Sequence, residues 1–477
     1  MNRLLLPTLF LTLILINFSC SQKENRFKPN VLIILADDMG STDLNCFGGK
    51  ANSPNLDNLA NSGIKFTQFY APAPNCSPSR TGLLTGRMPS RVGMYNYRSV
   101  NHSMHLPDSE ITIAEMLKKQ GYQTAHFGKW HLSCLPQDSS LNQAQPIDQG
   151  FDYSLGTENN AIPSHLNPTN FVRNGERVPE TDGFSCQLVA NEVKTWFQNF
   201  YKKGDPFFMY VAFHEVHAKI ASPDEMIQNY PGETKRDAEY FANVENMDNA
   251  AGKILDELKN RDLLENTIVI FASDNGPYRN GSAGELRGLK GEVYDGGIRV
   301  PGIFCWPGKI EAGQINETPA SLVDVLPTIA EIGQIELPSD RKIDGTSLIP
   351  LFNQKTFSRK TPLMWFFYRA YPEISMRIDD YILIGNALDS VPRTHPTADL
   401  DMDFIKNIQL KEFELYNVID DPSQQKNLAI TESEILNRMK PQMIELLEEI
   451  KTEGPYWKGL FEYESLRSRF KKGYIRK

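Results

Sequence analysis

The 477-residue chain has no apolar run approaching the about 20 residues that a helix needs to cross a bilayer. It shows no internal repeat and no low-complexity tract, so no repeat architecture is indicated. It lacks any excess of positive charge. Fifty Lys and Arg against 59 Asp and Glu leave a net charge of −9, which argues against a nucleic-acid surface. An anionic substrate would therefore need a local basic site. Cysteine is scarce too: six in so long a chain are too few for a disulfide framework. One or two bridges among Cys46, Cys134, Cys186 and Cys305 stay open, with no readable pairing.

What is present begins with "MNRLLLPTLFLTLILINFSC". One Arg precedes an apolar run from Leu4 to Ile16, then small residues and Cys20. The run is too short to span and fits the apolar centre of a secretory signal over residues 1–20. Cys20, followed by polar "SQKEN", is a candidate lipidated first residue of a bacterial lipoprotein; ordinary cleavage nearby is the alternative. Either reading exports the chain, to the periplasm or to an outer-membrane anchor.

With 40% hydrophobic residues the chain can bury a large core. Val31 to Ala36, in "KPNVLIILADDMG", is continuous and apolar, as in a parallel strand buried on both faces. "NSPNLDNLANSG" then offers Ser53 as helix cap, Pro54 at the first helical position and Gly63 as stop. "SEITIAEMLKKQG" reads as helix, "YQTAHFG" as extended, and "PFFMYVAFHEVH" as another buried strand. A long amphipathic helix around "AEYFANVENMDNAAGKILDELKNR" leads into "NTIVIFASDNG". This alternation predicts an α/β fold, a large mostly parallel sheet sandwiched by helices, over residues 28–360. From about 361 to 477 the texture changes. "PLMWFFYRA", "ISMRIDDYILIG" and "EFELYNV" read as antiparallel strands and "MKPQMIELLEEIKTEG" as a covering helix, giving a smaller α+β domain.

Ligands of open α/β sheets sit beyond the carboxyl ends of strands. Two strands here end in acidic residues: "VLIILADD" in Asp37-Asp38 and "IVIFASDN" in Asp274-Asn275. One such pair alone would more often cap a helix or face solvent. Gathering three carboxylates and an amide oxygen is costly without a cation among them. The donors are all oxygen, so a hard cation is implied, Ca²⁺ first and Mg²⁺ second. "APAPNCSPSRTGLLTGR" places Cys76 at the mouth of a helix beginning near Ser77-Pro78, with Arg80 about one turn in. Packing, a disulfide half, a metal ligand and a nucleophile are all open to that cysteine. The positive helix end suits a thiolate or a bound anion.

Cys-Ser-Pro-Ser-Arg followed by Leu-Leu-Thr-Gly-Arg resembles the signature of the formylglycine-dependent sulfatases, of alkaline-phosphatase-like fold. "PNVLIILADDMG", "SPNLDNLANSGIKFTQFYA", "TIAEMLKKQGYQTAHFGKWHL", "IVIFASDNG" and "LRGLKGEVYDGGIRVPGIF" look like that family's blocks in its order. "MRIDDYILI" and "ELYNVIDDPSQQKNLA" extend the resemblance to the small domain, so it runs from about Lys28 to about Leu428.

The resemblance implies an exported sulfuric ester hydrolase in which Cys76 is oxidised to formylglycine by a maturation enzyme. The hydrated aldehyde would attack sulfur with one oxygen, and the second hydroxyl would drive collapse of the hemiacetal sulfate. Asp37, Asp38, Asp274 and Asn275 would hold Ca²⁺ against the group derived from Cys76. Arg80 would stabilise the ionised diol, and Lys129 and Lys290 would bind sulfate oxygens. His131 would act as base in aldehyde regeneration, and His217 would protonate the leaving alkoxide by titrating near neutrality. The export signal points to sulfated carbohydrate as substrate.

Outside those matched blocks, lysines and histidines of this kind are more often surface or structural residues. His214 shares the region of His217, but spacing of three along a strand puts the two on opposite faces. The His-x-Pro of many relatives is "HAKIASP" here, which bears on the sugar-facing loop. Residues 135–182 match poorly beyond "DQGFDYSLG" and are the expected seat of specificity. His165, Glu215, Arg369 and His395 could reach a sugar, but each reads better as structural or solvated. Two other functions compete. A phosphatase of the same superfold would use Ser or Thr and Zn²⁺ with His ligands. A non-catalytic glycan-binding lipoprotein would have lost some of the six candidate catalytic residues, and none is lost.

Overall fold

The computed structural model describes residues 28–99, 102–138, 141–368, 374–387 and 402–457. The signal reading at residues 1–20, Cys20, Arg369 and His395 lie outside them. Seven strands form the body of the large sheet: β1 (Asn30–Ala36), β2 (Ile64–Tyr70), β3 (Gln123–Lys129), β4 (Tyr153–Thr157), β5 (Phe207–Ala212), β6 (Thr267–Ser273) and β7 (Arg299–Cys305). Their order is β2-β7-β6-β1-β5-β3-β4, and four short strands extend or flank it. β6, β1, β5, β3 and β4 run parallel, while β7 is antiparallel to both its neighbours. The mostly parallel sheet expected from the sequence is the one observed.

β1 is central, and all seven of its residues are buried. Because side chains alternate, Val31, Ile33 and Leu35 enter one core and Leu32, Ile34 and Ala36 the other. Each such aliphatic side chain contributes about 1.5–3 kcal/mol by leaving water. Helix Lys235–Asn260 covers the second face through Val244, Met247, Ala251 and Ile254. Parallel β1, β3, β5 and β6 deliver their carboxyl ends to one edge. Asp37, Lys129, the loop after Ala212 and Asp274 are thereby neighbours. "PFFMYVAFHEVH" is not all strand: β5 stops at Ala212, so strand parity does not govern His214 and His217.

A second sheet contains β8 (Leu363–Phe366), β9 (Ile374–Ile378), β10 (Tyr381–Asn386) and β11 (Glu412–Asn417), all antiparallel. Helix Ser433–Glu453 covers it with Met439, Met443, Leu446, Leu447 and Ile450. It docks on the large sheet through Trp365, whose ring lies 5.2 Å from Tyr70 and whose indole N–H donates to the Ala71 carbonyl at 2.7 Å. The Tyr70 hydroxyl also donates to Asp295 at 3.1 Å and accepts from Arg377. Cys46, Cys76, Cys134, Cys186 and Cys305 are all free thiols. No helix among the described residues is long and apolar enough to cross a membrane.

Asp43 ties the loop after β1 to its surroundings. Its carboxylate accepts from Gly40 N–H at 2.6 Å, Ser282 N–H at 2.8 Å and the Tyr240 hydroxyl at 2.5 Å. Burial outweighs these donors and pushes the carboxyl from 3.8 up to about 6. The folded chain therefore holds this proton more tightly than the unfolded chain. Stability from the group is full below the unfolded value and lost as pH rises through the folded one. Wild type should lose about 3 kcal/mol of its stability relative to D43N across that window. Denaturant unfolding at several pH values checks it; a relative stability that grows with pH would contradict it.

Candidate active site

The helix Cys76–Thr85 is buried on every side. Asn75 caps it, its side-chain oxygen accepting from Cys76 N–H at 2.9 Å and lying 3.4 Å from Sγ. Pro78 is the third helical residue, where no intrahelical N–H partner is lost. Ser79 Oγ donates to the Ala73 carbonyl at 2.7 Å and accepts from Ala73 N–H at 3.1 Å, closing the loop before the helix. A Cβ at Gly82 would sit 2.6 Å from Pro72, and Gly86 ends the helix at φ +67°. These contacts give the run Cys-Ser-Pro-Ser-Arg-Thr-Gly its local meaning: it seats Cys76 at the first turn with its side chain in the cleft.

Arg80 is fully buried and grips Asp274 Oδ2 with two nitrogens, at 3.0 and 2.7 Å. It also donates to the Lys129 carbonyl at 2.7 Å, so its direct contacts are with the strand ends. Lys129 Nζ donates to Asp37 Oδ2 at 2.5 Å and to Asn160 Oδ1 at 3.1 Å. Lys290 Nζ lies 2.6 Å from Asp38 Oδ1 and 3.7 Å from Cys76 Sγ. Asn275 Nδ2 donates to the same Asp38 oxygen at 2.8 Å, and Asp38 N–H donates to Asp274 Oδ1 at 3.2 Å. Three buried oxygens are left without a partner: Asp37 Oδ1, Asp38 Oδ2 and Asn275 Oδ1. Donor atoms of Asp37, Cys76 and Asp274 fall within 4.8 Å of one another. Apart from the Cys76 sulfur, the donors of Asp37, Asp38, Asp274 and Asn275 are all oxygen, and the orphaned ones on Asp37, Asp38 and Asn275 fit a hard divalent cation.

The charges are tightly coupled. Burial pushes Asp37 up, but Lys129, His217, Arg80 and Lys290 together hold its carboxyl well below the usual range. Asp274 goes the other way, to about 6, through burial and the neighbouring Asp37. Burial raises the Cys76 thiol despite Lys129 and Lys290. The thiolate that a helix mouth and Arg80 suggested is thus disfavoured, and Cys76 as a plain thiol is a poor nucleophile.

Both candidate catalytic histidines have fixed tautomers. His131 Nε2 faces the Arg98 carbonyl at 2.7 Å, so it carries the proton and leaves the buried Nδ1 as acceptor. His217 Nδ1 faces the Ala218 carbonyl at 2.6 Å, leaving Nε2 3.6 Å from Asp38 Oδ2. Burial lowers His217 to about 4, against the pull of Asp38. This corrects the expected titration near neutrality: in the free protein the ring is neutral at pH 7. His214 is buried with Nε2 2.7 Å from Thr157 Oγ1. His165 and Glu215 are structural, with His165 Nδ1 3.2 Å from Asn243 Nδ2 and Glu215 receiving Cys186 N–H at 3.1 Å. The ten positions expected around the cleft, Asp37, Asp38, Cys76, Arg80, Lys129, His131, His217, Asp274, Asn275 and Lys290, lie at this sheet edge, and His214, not expected there, lies beside them. Sequence reasoning missed Asn75 and Asn160. The first was visible as an Asn directly before a helix; the second had no local signal.

Residues 29–335 match the family model described as Sulfatase, and residues 289–453 the model described as N-sulphoglucosamine sulphohydrolase, C-terminal. The chain belongs to the formylglycine-dependent sulfatase family. Arylsulfatase A of Homo sapiens is 35% identical over 72% of this sulfatase and 71% of that protein. An arylsulfatase of Hemicentrotus pulcherrimus is 35% identical over 67% of this chain, which spans 61% of that protein's length. The solved structure of Ps i-CgsB in complex with k-i-k-neocarrahexaose superposes with a TM-score of 0.78 at 24% identity, over 93% of this chain and 97% of that one. That likeness extends the alkaline-phosphatase-like fold to both sheets.

Arg80 and Asp274 form a buried ion pair with both side chains fully excluded from solvent. Removing one member strands the other. R80A should lose about 3–5 kcal/mol of stability, measured by denaturant unfolding. A loss under about 0.5 kcal/mol would show that Arg80 does not hold Asp274.

Proposed function

We propose that this sulfatase is exported and hydrolyses sulfate esters of carbohydrates, with residue 76 acting as formylglycine. Cys76 carries the reading: a thiol raised in pKa, seated at a helix mouth beside the carboxylates of Asp37 and Asp274 and 3.7 Å from Lys290 Nζ. Such a thiol is ill placed to attack as sulfur. As the hydrated aldehyde, the residue offers one oxygen to sulfur in line and keeps a second hydroxyl. An ester on an ordinary Ser or Cys has no internal route to break down, whereas a hemiacetal sulfate has one.

The chain's own residues divide the work. Asp37, Asp38, Asp274 and Asn275 would hold Ca²⁺, with Mg²⁺ as the alternative, against residue 76. A cation held by these residues would supply Lewis-acid polarisation beside residue 76. Lys129 and Lys290 now lean on Asp37 and Asp38, the carboxylates a cation would take. Their ammonium groups, which border residue 76, would grip sulfate oxygens and offset charge in the transition state. Arg80 fixes Asp274 and adds a buried positive charge to the cleft for the ionised diol. His131 Nδ1 accepts the proton when the aldehyde is regenerated. His217 Nε2 delivers a proton to the leaving alkoxide; the anionic ester beside it raises a basicity that burial has lowered.

Carbohydrate as the substrate class is supported by the oligosaccharide bound to Ps i-CgsB and by the sulphoglucosamine description of the match at residues 289–453. A signal at 1–20, with Cys20 as the candidate lipid anchor, a catalytic unit at 28–360 and a smaller one at 361–477 complete the proposal. Maturation needs a formylglycine-generating enzyme in the host, and the product acts in the periplasm or at the outer membrane. The phosphatase reading is disfavoured, because the end of β6 carries Asp274-Asn275 in place of an Asp-His pair and residue 76 is Cys in place of Ser or Thr.

Matured protein incubated with sulfated mono- and oligosaccharides should release free sulfate, faster with added Ca²⁺ and slower after chelation. K129A, K290A and H217A should each lose at least about 100-fold in kcat/KM. Phosphate release from phosphate esters without sulfate release would overturn the reading in favour of a phosphatase.

A further inference from the structure

The loop that follows Asn275 carries two exposed side chains that the sulfate chemistry does not use. Pro277 anchors it, its carbonyl accepting Lys290 N–H at 3.0 Å. The next residue, Tyr278, is an aromatic left 41% exposed at the rim. Its ring lies 5.9 Å from Lys290 Nζ, the same nitrogen that approaches Cys76 Sγ. Arg279 follows at φ +57°, a left-handed conformation that turns its side chain back over the neighbouring ring. Its guanidinium carbon sits 4.9 Å from the Tyr278 ring centre. Short steps thus connect residue 76 to Lys290, to Tyr278 and to Arg279.

Arg279 differs from the other arginines near the cleft. Arg80 is spent on Asp274, Arg98 on Glu158, and Arg287 stacks on Tyr294 and donates to the Gln424 carbonyl at 2.9 Å. Arg279 lies over the ring of Tyr278 and forms no ion pair with a carboxylate among the described residues. Stacking on an aromatic face fixes a guanidinium while its in-plane N–H groups stay available. A planar fork of donors held in that way matches the two oxygens of a sulfate or a carboxylate. On a chain of net charge −9, a preorganised and uncompensated cation at the mouth of an anion-handling cleft favours a second anionic group.

We propose that Tyr278 and Arg279 form an accessory anion subsite, which binds a second sulfate or a uronate carboxylate on the saccharide whose ester is hydrolysed at residue 76. Tyr278 positions the guanidinium, and Arg279 makes the contact. The proposal rests on the sulfatase reading and narrows its substrate to saccharides bearing two anionic groups.

The test compares matured wild type with R279Q and R279K on three saccharides of one skeleton: monosulfated, disulfated, and monosulfated with a carboxylate in place of the second sulfate. Wild type should prefer the doubly anionic substrates. In R279Q that preference should fall about tenfold, through KM, as expected for loss of one charge-assisted contact. R279K should keep part of it, and Y278A should lower it with Arg279 still present. The carboxylate and disulfate arms tell which anion is taken. An unchanged preference in R279Q, or equal losses on all three substrates, would overturn the subsite while leaving the sulfatase reading intact. Failure of wild type to release sulfate from any of the three would instead remove the sulfatase reading, and the subsite with it.

Discussion

Three buried carboxylates, Asp37, Asp38 and Asp274, share one edge of the large sheet, and the rest of the cleft answers to their repulsion. Two unit charges 4 Å apart interact by about 4 kcal/mol at an effective dielectric near 20. No fold tolerates several such pairs unopposed. Arg80 answers Asp274, Lys129 answers Asp37 and Lys290 answers Asp38, so three positive charges meet three negative ones. A divalent cation on the orphaned oxygens would tip that balance to net positive. An anionic ester is then welcome in a chain that is acidic as a whole.

Topology makes this gathering possible. Parallel β1, β3, β5 and β6 deliver their carboxyl ends to the same edge, and the helix Cys76–Thr85 brings its amino end to meet them. Two of the residues set there, Asp38 at φ +65° and His131 at φ +59°, adopt left-handed backbone conformations that cost non-glycine residues about 1–3 kcal/mol. Both directly follow strand β1 or β3 by two positions, where the chain turns sharply to aim a side chain into the cleft. The packed cores on both faces of the sheet supply the rigidity that sustains such strain.

Much of this was legible in the sequence. Val31–Ala36 and Ile268–Ala272 are continuous apolar runs because each is buried on both faces, and the acidic residues that follow them mark the carboxyl edge. The antiparallel small sheet announced itself through short strands and a covering helix. Less legible was anything that depends on where a strand stops. The apolar run through Phe213 hides the end of β5 at Ala212, so the parity argument separating His214 from His217 had no strand to act on. Burial is likewise a property of the assembled fold. The helix mouth suggested an acidic Cys76 and a near-neutral His217, whereas desolvation moves both away from their charged forms. Asn160 reaches Lys129 from a loop of no recognisable pattern.

The account stands or falls on the chemical state of residue 76. Mass spectrometry of the peptide spanning residues 71–87, from active protein purified from its native host, addresses it directly. An aldehyde or its hydrate at position 76 is the predicted result. An unmodified thiol there in fully active protein would contradict the mechanism, whatever the rest of the cleft contains.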